Sequence, residues 1–222
     1  MSTSTAVGGA LALSHEPPHA VTIGASACSA PAPRLISDHL PMRIDQELAH
    51  HSLAENSVLA IGVFDGAHLG HRHLISVLNE KAKGSGCLAG IVTFLNHPAA
   101  VLKPGLNPLS LTGVDDRLKL MSELGADFVV PVSFDLELSK LGARQFAALL
   151  QKHLRMIGLV VGVDFTMGRG REGDVPTLVI LGREMGFFVH VVEQLVDGNG
   201  QTIRSTLIRE ALARGDVTRV AA

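Results

Sequence analysis

Tryptophan and tyrosine are absent from this 222-residue chain, which leaves eight phenylalanines as its benzenoid side chains. That absence removes the aromatic–basic interleaving on which single-stranded nucleic acids stack. Charge of one sign is also missing. Nineteen Lys and Arg against 21 Asp and Glu give a formal net charge of −2, so no basic face awaits a polyanion and no nucleic-acid partner is expected. Cysteine occurs only as Cys28 and Cys87, too few for a disulfide framework. No uncharged apolar run reaches the length of a membrane span, so no membrane partner is expected and the expected location is cytoplasmic. Residues 1–33 lack Lys and Arg altogether and are rich in Ala, Ser, Gly and Pro. A secretory signal is the rival reading, but its basic start is missing. His15, Pro17, Pro18 and His19 also cut short the apolar centre Ala10–Leu13. Residues 1–41 therefore read as a flexible N-terminal extension, with Met42 an alternative start, and residues 42–222 as one folded domain.

From residue 57 onward, apolar runs of strand length alternate with amphipathic segments of helix length. Strands are predicted at Val58–Val63, Leu88–Phe94, Phe128–Val132, Leu159–Val163 and Phe187–Val192. Helices are predicted at His71–Lys83, from a capping box at Thr112–Asp115 through Leu124, at Ala143–Leu154, at Val175–Met185 and at Ser205–Arg214. Asp197–Gly200 reads as a tight turn, and Val101–Ser110 as a long loop able to cover a site. Strands alternating with helices imply an α/β fold, a parallel sheet with helices on both faces. Ligands of such sheets bind beyond the carboxyl ends of the strands.

The unusual residues fall after the first, second and fourth strands and at the last helix. Gly62-Val-Phe-Asp-Gly-Ala-His-Leu-Gly-His71 follows a strand and opens a helix. Glycine permits close backbone approach, and a helix start presents free N–H groups and a positive dipole end. His68 and His71, three residues apart, add imidazole donors on the same face, suited to the β- and γ-phosphates of ATP. A zinc clip of His68, His71 and His73 is the alternative, but no cysteine or carboxylate completes it. Thr93–Pro98 leaves its strand with Asn96 and His97, as substrate contacts or as a mere turn. Asp164–Asp174 carries Phe165, Arg169 and Arg171 among several glycines, a flexible cationic loop able to close over phosphates or a flat ring. Asp164 could hold a ribose hydroxyl or an adenine amine. Ser205 and Thr206 offer hydroxyls at a helix start with Arg209 one turn on, or form a plain cap.

These four segments, in this order from about Met42 to the end, resemble the bacterial FAD synthetases, the FMN adenylyltransferase module usually found joined to a riboflavin kinase. Gly62–His71 is similar to that family's Gly-x-Phe-Asp-Gly-x-His-x-Gly-His, Thr93–Pro98 to its Thr-Phe-Asp-Pro-His-Pro, and Arg204–Arg209 to its Ser-Ser-Thr-x-Ile-Arg. The resemblance implies a Rossmann-like nucleotidyltransferase fold that transfers AMP from ATP to FMN with Mg²⁺, giving FAD and pyrophosphate. It implies catalytic roles for His68, His71, Ser205, Thr206 and Arg209. ATP contacts would come from Gly62, Phe64, Gly66, His68, Gly70, His71 and Asp164. FMN contacts would come from Asn96, His97, Phe165, Arg169 and Arg171, and no protein-held metal is expected. Four residues depart from the pattern: Leu95 and Asn96 stand for Asp-Pro, Met167 for an aromatic and Arg204 for a serine. The chain ends at Ala222, before the kinase barrel usual in the family, so no kinase activity is expected of it. It would be a stand-alone enzyme, with a separate riboflavin kinase as a possible partner, or a piece of a longer protein. The rivals are an adenylyl- or cytidylyltransferase for another phosphorylated acceptor, and a non-catalytic flavin- or nucleotide-binding protein.

Overall fold

Ser57–Gly62 forms strand β1 at the centre of a five-stranded sheet, and everything that positions the site is organised around its carboxyl end. The computed structural model describes residues 43–217 except 104, 106–108, 197 and 199. The expected extension 1–41 lies outside the described residues, and the turn expected at Asp197–Gly200 lies partly outside them.

The elements in chain order are α1 (Arg43–Ala49), β1, α2 (Leu69–Gly84), β2 (Leu88–Phe94), α3 (Pro98–Leu102), α4 (Val114–Glu123), β3 (Phe128–Val132), α5 (Leu136–Lys140), α6 (Ala143–Leu154) and β4 (Met156–Gly162). After them come β5 (Thr166–Met167), β6 (Gly173–Asp174), α7 (Val175–Met185), β7 (Phe188–Val192) and α8 (Ser205–Ala213). The sheet order is β3-β2-β1-β4-β7, and all four pairings are parallel. The chain thus winds outward from β1 through β2 to β3, then returns to the other side of β1 as β4 and β7. The reversal lies between β1 and β4, and the crevice beyond those two strand ends is where a doubly wound sheet binds its ligand.

Side-chain alternation divides the core into two apolar layers. Leu59, Ile61, Val92, Leu159 and Val161 point to one face, against α1, α5, α6 and α7. Val58, Ala60, Ile91 and Val160 point to the other, against Ile75 and Leu78 of α2 and Met121 of α4. Both faces of the sheet are therefore covered by helices, as the strand–helix alternation predicts.

The predicted limits of β2, β3, α6 and α7 coincide with those observed. Pro131 is accommodated inside β3 because that strand lies at the sheet edge, where a missing N–H costs no ladder partner on the open side. The α7 helix is capped by Asp174, whose carboxylate accepts from Thr177 N at 3.0 Å. One local expectation fails. Thr112 does not cap α4; the cap is Gly113, with no side-chain hydrogen bond, and Thr112 is drawn instead into the β1–α2 turn. Helices α1, α3 and α5, of seven, five and five residues, went unread because they are too short to show a helical period. Among the described residues no helix is long and apolar enough to cross a membrane.

Candidate active site

A cavity of about 440 Å³ opens beyond the carboxyl ends of β1 and β4. Its walls come from the β1–α2 turn, from His97 at the start of α3, from Asp164 and Phe165 after β4, and from the N-terminal turn of α8. Eleven of the residues assigned to substrates or catalysis from sequence line it, namely Gly62, Phe64, His68, Gly70, His71, His97, Asp164, Phe165, Ser205, Thr206 and Arg209, and Arg204 joins them.

The turn is built on unusual backbone. Phe64, Gly66 and Ala67 have φ of 52°, 82° and 40°, and two of these three carry a side chain in the left-handed region. A Cβ on Gly66 would also stand 2.8 Å from Leu111 Cδ1, so glycine is required there on both counts. His68 is the N-cap of α2; its Nδ1 accepts from His71 N at 3.4 Å. A neutral imidazole that accepts at Nδ1 carries its proton on Nε2, so His68 is an Nε2–H donor. His97 repeats the arrangement at α3, its Nδ1 accepting from Ala99 N at 3.1 Å. The His68 and His71 rings stack at 3.7 Å with an interplanar angle of 19°, and Phe64 tilts against His71 at 5.2 Å.

All three imidazoles have their pKa pushed below the ordinary histidine value, which favours the neutral form. Burial is the main cause for each. For His68 and His97 burial and the Arg209 guanidinium outweigh the opposing pull of Asp65. His71 is lowered furthest, from 6.5 to about 3, by burial and by the His68 ring against it. Its Nδ1 is buried without a partner, the kind of orphan that accompanies catalytic sites. The linkage has a definite sign. Below pH 6.5 the unfolded chain protonates this imidazole and the folded one does not, so stability falls as pH drops from 6.5 towards 3. At about 1.4 kcal/mol per unit, His71 alone removes about 2 kcal/mol between pH 6.5 and 5. Thermal unfolding should therefore move down by about 4–8 °C over that interval, and His71→Asn should flatten the profile. An equally steep profile in H71N would place the acid sensitivity elsewhere.

Asp65, noted from sequence only as a flank of the motif, is the most heavily bonded side chain of the site. It is 3% exposed and takes hydrogen bonds from Leu111 N, Thr112 N and Arg209 Nη2, the last at 2.6 Å. Burial pushes its pKa up, but the N–H groups of Leu111 and Thr112 and the Arg209 guanidinium together hold it below the ordinary carboxylate value. A signal existed: an acid inside an anion cradle must be neutralised by a partner. Arg117 was also missed. It is 3% exposed, donates to the Phe94 carbonyl at 2.8 Å and leaves Nε without a partner.

Several assigned residues lie elsewhere. Asn96 is not in the cavity wall; its amide spans Phe134, donating to that residue's carbonyl at 2.8 Å and accepting from its N–H at 2.9 Å. Arg169 and Arg171 are not in the wall either. The segment that carries them is no free flexible loop. It forms the β5–β6 hairpin and is pinned to the α5–α6 junction, with Arg169 N donating to Leu141 O at 2.8 Å and Glu172 Oε1 accepting from Ala143 N at 2.9 Å. Arg171 turns back to Thr166 Oγ1 at 3.0 Å. Met167 is a core residue at 7% exposure, so its exchange for an aromatic does not bear on ring stacking in the cavity. Gly66 stands in the turn, its N–H donating to Thr112 Oγ1 at 3.3 Å, without lining the cavity. Ser205 is the first residue inside α8 rather than its cap, which is Arg204; the Ser205 hydroxyl donates to the Asp65 carbonyl at 3.1 Å. Arg204 reaches Asp164 at 3.5 Å and Gln194 at 3.0 Å.

A glycine turn bearing two stacked histidines, set at the switch point of a doubly wound parallel sheet, defines a Rossmann-like fold of the nucleotidyltransferase type. The FAD synthetase family matches residues 50–207, and the chain belongs to that family. It is 39% identical over 160 residues to the bifunctional riboflavin kinase/FMN adenylyltransferase of Escherichia coli K12, covering 72% of this chain and 51% of that protein. It is 33% identical over 173 residues to the enzyme of the same name from Bacillus subtilis 168, covering 76% and 54%. The chain thus spans about half the length of the curated relatives it matches. Among solved structures, one titled macrolide-efflux protein from Streptococcus pneumoniae superposes with a TM-score of 0.72 at 25% identity, over 82% of this chain and 58% of that one.

Proposed function

We propose that this chain transfers the adenylyl group of ATP to FMN, releasing pyrophosphate and forming FAD. The observation that carries the reading is the cavity itself. The stacked His68 and His71 at the start of α2 face the start of α8, with Ser205, Thr206 and Arg209, across a space at the sheet's switch point. Two helix N-termini directed at one space favour a polyphosphate. Membership of the FAD synthetase family supports FMN as the acceptor.

An oxygen of the FMN phosphate attacks the α-phosphorus of ATP. The bond from that phosphorus to the α,β-bridging oxygen breaks, and the electron pair leaves on pyrophosphate. Such transfers depend on positioning and on donors aimed at developing charge rather than on covalent chemistry by the protein. His68 supplies a neutral Nε2–H, and His71 a second neutral imidazole. Arg209 and Arg204 supply cationic N–H groups, and Asp164 a carboxylate for a nucleotide hydroxyl or amine. The Phe165 ring and the His97 imidazole offer a surface and a donor to the flavin end.

The described residues hold no cluster of three His, Cys, Asp or Glu side chains suited to a metal. A Mg²⁺ ion would be carried mainly by the nucleotide's own phosphates, with Asp164 the carboxylate in the wall able to assist and Asp65 fully committed to protein donors. When bound, the ion neutralises phosphate charge. A reaction of this kind belongs with a riboflavin kinase activity that supplies FMN, and with the cytoplasmic ATP pool. The test is chromatography of the purified chain with ATP and Mg²⁺, with FMN in one reaction and riboflavin in another. FAD is expected from FMN alone, because riboflavin has no phosphate to attack with. Tight ATP binding without FAD would favour another phosphorylated acceptor or a binding protein.

A further inference from the structure

Helix α8 carries half of the proposed phosphate site, yet its apolar anchorage is slight. Of its nine residues only Ala211 is buried, and none belongs to either apolar core. Nor does sheet pairing locate it against the histidines, since β7, the strand before it, is separated from β1 by β4. What joins the two halves is polar and converges on one residue. Asp65 sits in the strained turn between β1 and α2, and its carboxylate receives Arg209 Nη2 at 2.6 Å. Its main-chain oxygen receives Ser205 Oγ at 3.1 Å. Two α8 groups that face the cavity are thereby tied to the turn that presents His68 and His71, across 140 and 144 positions of sequence.

The same carboxylate gathers a third segment. It accepts from Ser110 Oγ at 3.2 Å, from Leu111 N at 2.9 and 3.0 Å, from Thr112 N at 3.0 Å and from Thr112 Oγ1 at 3.3 Å. Arg209 Nε closes the ring on the Leu109 carbonyl at 2.7 Å. The pair is withdrawn from water, with side-chain exposures of 3% for Asp65 and 19% for Arg209. A buried charge that loses its partner is penalised strongly, so this knot has one favoured arrangement. Left-handed φ at Phe64 and Ala67 persists only where surroundings over-determine it, and the knot is that surrounding.

We infer that Asp65 is a positioning residue: it docks α8, with Ser205 and Arg209, onto the histidine turn and thereby sets the geometry of both halves of the phosphate site. The catalytic consequence rests on the adenylyltransferase reading; the docking does not.

The experiment compares the full chain with Asp65→Asn, Arg209→Gln and the double variant by amide hydrogen exchange and by FAD formation. Exchange in 109–112 and 205–213 should rise about tenfold or more in D65N, and in 205–213 in R209Q, while β1, β2 and β4 stay protected. FAD formation should fall about a hundredfold in kcat for D65N, as a displacement of about 1 Å in a positioned group can cost. The double variant should be no more than about threefold worse than the poorer single one, because both changes break one linkage. Unchanged exchange of α8 in both single variants overturns the docking. Losses that multiply in the double variant overturn the linkage through Arg209. Should D65N fail to fold, R209Q decides the exchange outcome alone. Should the parent chain form no FAD, the functional reading fails and the exchange result still stands or falls by itself.

Discussion

His71→Ala is expected to lower the rate of FAD formation by about a hundredfold to a thousandfold while leaving the circular dichroism spectrum intact. The side chain sits in the first turn of α2, where free N–H groups and the dipole already favour anions. It is wedged between His68, stacked at 3.7 Å, and Phe64 at 5.2 Å, so its ring is pre-oriented before any substrate arrives. Burial and the His68 ring lower its pKa to about 3, which favours the neutral ring in the free protein. At neutral pH almost none of it is protonated, so in the proposed reaction it would donate a hydrogen bond rather than a proton. The kcat/KM profile should accordingly show no limb from His71 between about pH 5 and 8. His71→Asn, which keeps a donor, should retain more activity than H71A. Full activity in H71A would remove the histidine pair from the mechanism.

Gly90→Val is expected to destabilise the fold by about 3 kcal/mol or more. Gly90 lies in β2, between Leu59 of β1 and Phe128 of β3 in register. A Cβ there would stand 2.1 Å from Phe128 Cζ and 2.7 Å from Leu59 Cδ2, positions no rotamer shift of a few tenths of an ångström relieves. The same device recurs across the sheet. Gly158 of β4 pairs with Phe188 of edge strand β7, whose ring atoms come to 2.3 Å of a built Cβ. Each edge strand thus begins with a phenylalanine folded over a glycine of its inner neighbour, which covers the glycine and pins the register. Thermal unfolding of G90V should fall by about 6–12 °C, and adding Phe128→Ala should recover part of that loss by making room. An unchanged midpoint would mean that the ring can move aside at no cost.

The departures from the family pattern separate by where they stand. Met167 is in the core, and Asn96 braces the backbone of Phe134. Arg204 alone of the four lines the cavity, where it meets Asp164 at 3.5 Å. Both partners are half exposed, so the pair is worth little to stability and is free to reorganise around a ligand.

Much of this protein was legible in its residues taken in order. Apolar periods set the strands and the longer helices, because burial on a sheet face or a helix stripe demands them locally. The glycine turn with His68 and His71 pointed to the segment that lines the cavity, because a strand, a glycine turn and a helix start are neighbours in sequence. What the sequence could not reveal lies in side chains that can bond to more than one partner. Thr112 matches a capping box yet turns to Asp65; Arg169 and Arg171 look like phosphate ligands yet lie outside the cavity wall; Asp65 looks incidental yet holds three segments. Polar groups are satisfied by whichever donors and acceptors the tertiary structure brings within about 3 Å. For the Asp65 knot those partners lie 45 to 144 residues away, and only the closed fold chooses among them.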